Sequence, residues 1–149
     1  MKMLVTWDEK MVFTARAAGS EAKMDAKPPI GQGRALTPKE LVVAGLCGCT
    51  AMDVMALMRK HKQAVTTFEV QAEVTTSEGG PPVVFTSAEL EFALTGDVDP
   101  ALALEAVRLS QTRYCGVTAM LVKAFPVRYR VVVNGTPAGE GQADFGSPG

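Results

Sequence analysis

The chain has 149 residues, 47% of them apolar, and a formal net charge of −1. That length suits one domain able to bury a core without staples or a structural metal. The apolar content excludes a disordered chain, and the near-neutral charge argues against a broad nucleic-acid surface. The longest apolar run, Leu41 to Met52, stops at Asp53, short of the roughly 18 residues a membrane span needs. Three cysteines, an odd count, follow an N-terminus that lacks a signal peptide's apolar core and cleavage site. Both features predict free thiols in a reducing, cytoplasmic compartment.

Two short strand patterns come first, Lys2 to Trp7 and Met11 to Ala17, with Asp8-Glu9-Lys10 as the turn. A third short piece, Glu21 to Met24, follows the Gly19-Ser20 break, and residues 27–34 form a Pro- and Gly-rich loop. Thr37-Pro38-Lys39-Glu40 is a helix start: Thr37 as N-cap, Pro38 at the first helical position, Glu40 three residues after the cap. The helix is predicted to run to about His61. Its middle is apolar on every side, so it needs cover from the rest of the protein or from a partner subunit.

Two strands of alternating character follow. Phe68, Val70, Ala72 and Val74 alternate with polar residues, as do Leu90, Phe92 and Leu94, and Gly79-Gly80-Pro81-Pro82 links them into a predicted antiparallel hairpin. Asp99-Pro100 opens a second helix through about Arg113, with Leu102, Ala106, Leu109 and Val107 on its buried side. Cys115-Gly116-Val117 ends or interrupts it, and Val117 to Ala124 is a further helical turn. Val127, Tyr129, Val131 and Val133 make the last strand. One domain is predicted over residues 1–134, with a loose tail over 135–149.

Cys49 lies inside the first helix and Cys115 just past the end of the second. Two thiols so placed can share a pocket, where one sulfur attacks an oxidant and the other closes a disulfide on it. Free cysteine is also among the most buried residue types, and all three would serve as small core residues. Cys47 and Cys49 are two apart on a helix and project about 200° apart, so they do not face one pocket. Their spacing is also poor for zinc, and nothing in the sequence calls for a bound cofactor or metal.

A reactive thiol needs a nearby cation or a positive helix end to become thiolate. Arg34 and Arg16 are the candidate cations, and Glu40 is placed to hold an arginine. Asp53, one turn after Cys49, opposes thiolate formation, so it is expected to bond a backbone group or a basic residue. His61 is the one histidine, which weakens a hydrolase reading. Met52, Met55 and Met58 suit plastic core packing or an apolar ligand's pocket.

Thr37-Pro38-Lys39-Glu40-Leu41, then Gly48-Cys49-Thr50-Ala51-Met52-Asp53-Val54, then Tyr114-Cys115-Gly116-Val117 resemble the OsmC/Ohr family of osmotically inducible and organic hydroperoxide resistance proteins, in its OsmC-like branch. The resemblance implies an α+β fold in which two subunits intertwine, with antiparallel sheets wrapped around a long buried central helix. It implies that Cys49 is the peroxidatic and Cys115 the resolving cysteine of an organic hydroperoxide reductase reset by a dihydrolipoyl-type dithiol. Peroxide-active members place a Glu directly after the Pro of the helix start; here that position is Lys39 and the acid follows at Glu40. They also hold the cysteine as thiolate with an early arginine, for which Arg34 and Arg16 are the candidates. The reading from another class is a non-catalytic dimeric module that binds an apolar ligand or a protein.

Overall fold

A computed structural model describes residues Met1–Gly146. Ser147, Pro148 and Gly149, the end of the predicted tail, lie outside the described residues. The sequence predicted one domain over residues 1–134; contacts divide the chain into two compact units, residues 1–44 and residues 45 onward, with the division inside the long helix.

In the first unit, β1 (Leu4–Glu9), β2 (Val12–Ala17) and β3 (Ser20–Met24) form an antiparallel sheet in chain order. The β2–β3 hairpin turns on Ala18 and Gly19, both at positive φ (48° and 82°), the pairing that matches a tight hairpin to the strands' own twist. Residues 25–36 then fold around one carboxylate. Asp25, buried, accepts the N–H groups of Ala26 (2.8 Å), Gln32 (3.3 Å) and Arg34 (3.0 Å). Those donors, Arg34's first, hold its carboxyl below the usual carboxylate range.

Helix α1 (Pro38–Lys60) starts as the sequence predicted. The Thr37 hydroxyl accepts the Glu40 N–H (3.2 Å), and the Glu40 carboxylate accepts the Thr37 N–H (2.7 Å), a complete capping box. Arg59 and Lys60 close the helix with positive charge.

The second unit is a four-stranded sheet of order β4-β5-β6-β7 under helices. β4 (Ala64–Thr76) and β5 (Phe85–Asp97) are the predicted antiparallel hairpin. β6 (Val127–Val133) joins β5 in parallel, so the sheet is mixed where antiparallel sheets were expected. A parallel neighbour requires a crossover, supplied by α2 (Pro100–Leu109), a π-helical turn (Ser110–Tyr114) and α3 (Gly116–Leu121).

The expected loose tail is corrected: Thr136–Gln142 form β7, antiparallel to β6. Its small residues hid it from a pattern search, but they are what the site requires. Gly139 sits at φ +157°, and a Cβ there would lie 2.6 Å from Leu104 Cδ2, so β7 takes a glycine where α2 presses on it.

The core lies between the sheet and the helices. Leu90, Phe92 and Leu94 of β5, Val127, Val131 and Val133 of β6, and Ala103, Ala106 and Val107 of α2 are buried. Each large apolar side chain so buried contributes roughly 1.5–3 kcal/mol. Leu102 and Leu109, expected on the buried side of α2, are half-buried, because the helix is rotated to bring Ala103 and Val107 inward.

The expectation that α1 is enclosed on all sides is not met within one chain. Only Leu46, Thr50, Val54 and Met58, one stripe at four-residue spacing, are buried, and Met52 opposite is 76% exposed. By length and composition α1 would suffice to cross a membrane, which counting the uninterrupted apolar run did not register. Leu46, Val54 and Met58 instead belong to the core cluster with the sheet.

Candidate dithiol site

Cys49 lies mid-helix on α1, half-buried, and Cys115 is buried at the break between the π-helical turn and α3. The break has a local cause. Cys115 is extended (φ −71°, ψ 102°), its N–H closes the turn on the Ser110 carbonyl (3.0 Å), and its sulfur caps α3 by accepting the Thr118 N–H at 3.4 Å. This holds the side chain of Cys115 in one direction. Cys49 is a near neighbour of Cys115 across the two elements. Burial pushes the Cys115 thiol up, the Thr118 contacts pull it partly back, and the neighbouring Cys49 raises it further.

A buried polar cluster ties the same two elements together. Thr50, Ser110 and Gln111 are all fully buried. Thr50 Oγ1 and Ser110 Oγ are 2.7 Å apart, Gln111 Nε2 donates to Thr50 Oγ1 (2.7 Å), and Ser110 Oγ donates to Asp53 Oδ2 (2.9 Å). Asp53 thus bonds a hydroxyl, where a backbone or basic partner was expected. None of Thr50, Ser110 and Gln111 stood out in the sequence. The available signal was Thr50 itself, a polar residue in the stripe Leu46, Val54, Met58. The π-helical turn, a form that occurs mostly as a single turn at functional sites, has no such signature.

Cys47 packs against the core cluster, and burial raises its thiol. It is a packing residue, as its phase on the helix predicted. Cys47→Ala is expected to cost about 1 kcal/mol of stability, measured by denaturant unfolding, and to leave the reactivity of Cys49 within a few-fold.

The other predicted site residues lie in the first unit, each with its own partners. Glu40 caps α1 and pairs with Lys27 Nζ (3.2 Å), so it holds a lysine where an arginine was expected. The Thr37 N–H and then Lys27 keep its carboxyl below the usual range. Arg34 is exposed and bonds Glu9 Oε1 at 3.1 Å. Arg16 pairs with Glu21 (3.2 Å) and donates to the Thr6 hydroxyl (2.8 Å).

Two neighbouring cysteines on different helical elements, above a mixed sheet, can be compared with known proteins. Residues 31–130 match the family model described as OsmC-like protein. The chain belongs to the OsmC-like family. Among curated relatives, Protein YhfA of Escherichia coli (strain K12) is 34% identical over 131 residues, 87% of this chain and 95% of that one. The fold recurs in the OsmC like protein from Mycoplasma pneumoniae, with a TM-score of 0.76 at 12% identity over 89% of this chain and 95% of that one. It recurs in the organic hydroperoxide resistance protein OsmC from Legionella pneumophila, with a TM-score of 0.65 at 18% identity over 89% of this chain and 98% of that one. At those identities the two structures speak to the fold, which is α+β as the sequence predicted.

Proposed function

We propose that this protein is a thiol-dependent peroxidase that reduces organic hydroperoxides, with Cys49 as the attacking and Cys115 as the resolving cysteine. The observation that carries the reading is the nearness of Cys49 to Cys115, on two elements tied together by the buried Thr50–Ser110 hydrogen bond (2.7 Å). The Cys49 thiolate attacks the distal oxygen of the hydroperoxide. The O–O bond breaks, the alcohol leaves after taking up a proton, and Cys49 becomes a sulfenic acid. The Cys115 sulfur attacks the sulfenic sulfur, water leaves, and a disulfide forms. An external dithiol of the dihydrolipoyl type then exchanges with that disulfide, restores both thiols and departs oxidised. No bound cofactor or metal enters this cycle.

The exposed apolar residues on the elements that carry the two cysteines, Met52, Tyr114 and Met120, favour alkyl or lipid hydroperoxides over hydrogen peroxide. The same exposure supports a homodimer, and the free thiols suit a cytoplasmic setting. Neither a nucleic acid nor a membrane is needed as a partner. Arg34 and Glu40 are secondary members of this proposal, because their present partners are Glu9, Thr37 and Lys27.

Stopped-flow oxidation of the reduced protein by cumene hydroperoxide tests the reading. Wild type is expected to react orders of magnitude faster than free cysteine, and Cys49→Ser to lose the fast phase entirely. A wild-type rate equal to that of free cysteine favours the non-catalytic dimeric module instead.

A further inference from the structure

The polar cluster beneath the two cysteines has a fixed direction. A carboxylate only accepts, so the single proton of the Ser110 hydroxyl is committed to Asp53. Ser110 Oγ must then accept from the Thr50 hydroxyl, and Thr50 in turn accepts from the Gln111 amide. The protons run one way, from Gln111 through Thr50 and Ser110 to the charge on Asp53. Hydrogen bonds that end on a charge are the stronger kind, and three of the four members are withdrawn from water. Gln111 Oε1 has no hydrogen-bond partner, so the amide is held by its nitrogen.

This chain touches both sulfurs' backbones. Thr50 follows Cys49 directly, and the Ser110 carbonyl accepts the N–H of Cys115 (3.0 Å). Ser110 is therefore bonded on its side chain to the neighbour of one cysteine and on its main chain to the other cysteine itself. The Ser110 carbonyl and the Thr118 N–H together hold Cys115 at the break after the π-helical turn.

We propose that Thr50, Ser110, Gln111 and Asp53 are positioning residues, a clamp that sets the approach of Cys115 to Cys49 so that disulfide closure outruns a second oxidation of Cys49. The second half of that statement rests on the peroxidase reading; the first half does not. Loss of the clamp lowers the effective concentration of one thiol at the other and leaves the first attack on peroxide unchanged, because none of the four supplies an atom to that step.

The test uses Thr50→Val, which keeps the shape and removes the hydroxyl, with Thr50→Ser as the conservative rescue. Equilibration of the reduced protein with a glutathione redox buffer reads the effective concentration without any peroxide. The Cys49–Cys115 equilibrium constant is expected to fall about tenfold in Thr50→Val and to return in Thr50→Ser. Tenfold corresponds to about 1.4 kcal/mol, within the cost of stranding one buried hydrogen-bonding group. Under graded cumene hydroperoxide, the sulfinic fraction of Cys49, measured by mass spectrometry, is expected to rise by a similar factor, with the first oxidation rate within about twofold. Ser110→Ala, which cuts the link to Asp53 from the other helix, is expected to repeat both effects and serves if Thr50→Val does not fold. Wild-type glutathione equilibria in these variants would overturn the clamp. A lowered equilibrium constant in a protein inert to peroxide supports the clamp and overturns the peroxidase reading.

Discussion

One equivalent of an organic hydroperoxide is expected to convert the reduced protein into a form with a single Cys49–Cys115 disulfide within one chain. The two cysteines are near neighbours, and closure requires their Cα atoms within the roughly 7 Å a disulfide allows. In the chain-entropy model a permanent bond closing so long a loop stabilises by about 4 kcal/mol. A bond that a dithiol must reopen gives up part of that, and the melting shift is expected to be smaller. Closure also has a predictable pH dependence. Cys115 is held up by burial and by its neighbour, and the thiolate is the nucleophile. The rate of closure should therefore rise through the neutral range and level off only above the ordinary thiol range. Over-oxidation of Cys49 should be worst at low pH. Cys115→Ser should abolish the disulfide at every pH and leave Cys49 as sulfenic and then sulfinic acid. Peptide mapping under non-reducing conditions measures each species. A wild-type protein that carries only over-oxidised Cys49 would remove Cys115 from the mechanism.

How far these features could be read in advance follows from which of them are local. The capping box at Thr37 and Glu40 is a four-residue pattern, and it formed as written. The alternation in β4 and β5 depends on neighbours two residues apart, and the hairpin followed. The opposite phase of Cys47 and Cys49 is helix geometry, and Cys47 packs, partly buried, against the core cluster. What escaped depends on residues far apart in the chain. β7 is legible only once Leu104 is known to press on Gly139. The partner of Glu40 had to be chosen among several early cations, and Lys27 holds that place. The cluster at Asp53 joins residues nearly sixty positions apart, and each member alone is an unremarkable Thr, Ser or Gln. That Cys49 and Cys115 share a pocket was an expectation drawn from two helix patterns, and Cys49 is close enough to Cys115 to raise its thiol.

A second large effect is expected from charge on the outer face of α1. The stripe Leu46, Thr50, Val54, Met58 faces the core. On the opposite side Gly45, Met52 and Ala56 are exposed and carry no charge. Neither Gly45 nor Gly48 has an atom within 4 Å of where a Cβ would stand, so the backbone there is open to close approach. Separately, in the first unit, Leu4 (60%), Val5 (49%) and Trp7 (65%) of β1 are exposed. A chain with that much uncovered apolar surface is costly to keep as a monomer, and a second copy presenting the same face supplies matching small and flexible apolar groups. Wild type is expected to be a homodimer at micromolar concentration by light scattering, with no monomer resolved. Met52→Glu combined with Ala56→Glu would place carboxylates from both copies in one apolar contact, at several kcal/mol for unpaired buried charge. The double variant is expected to be monomeric, or unfolded if the monomer lacks enough core of its own. A charged double variant that remains a dimer with wild-type stability would show that α1 keeps this face in water, and the subunits would have to meet elsewhere.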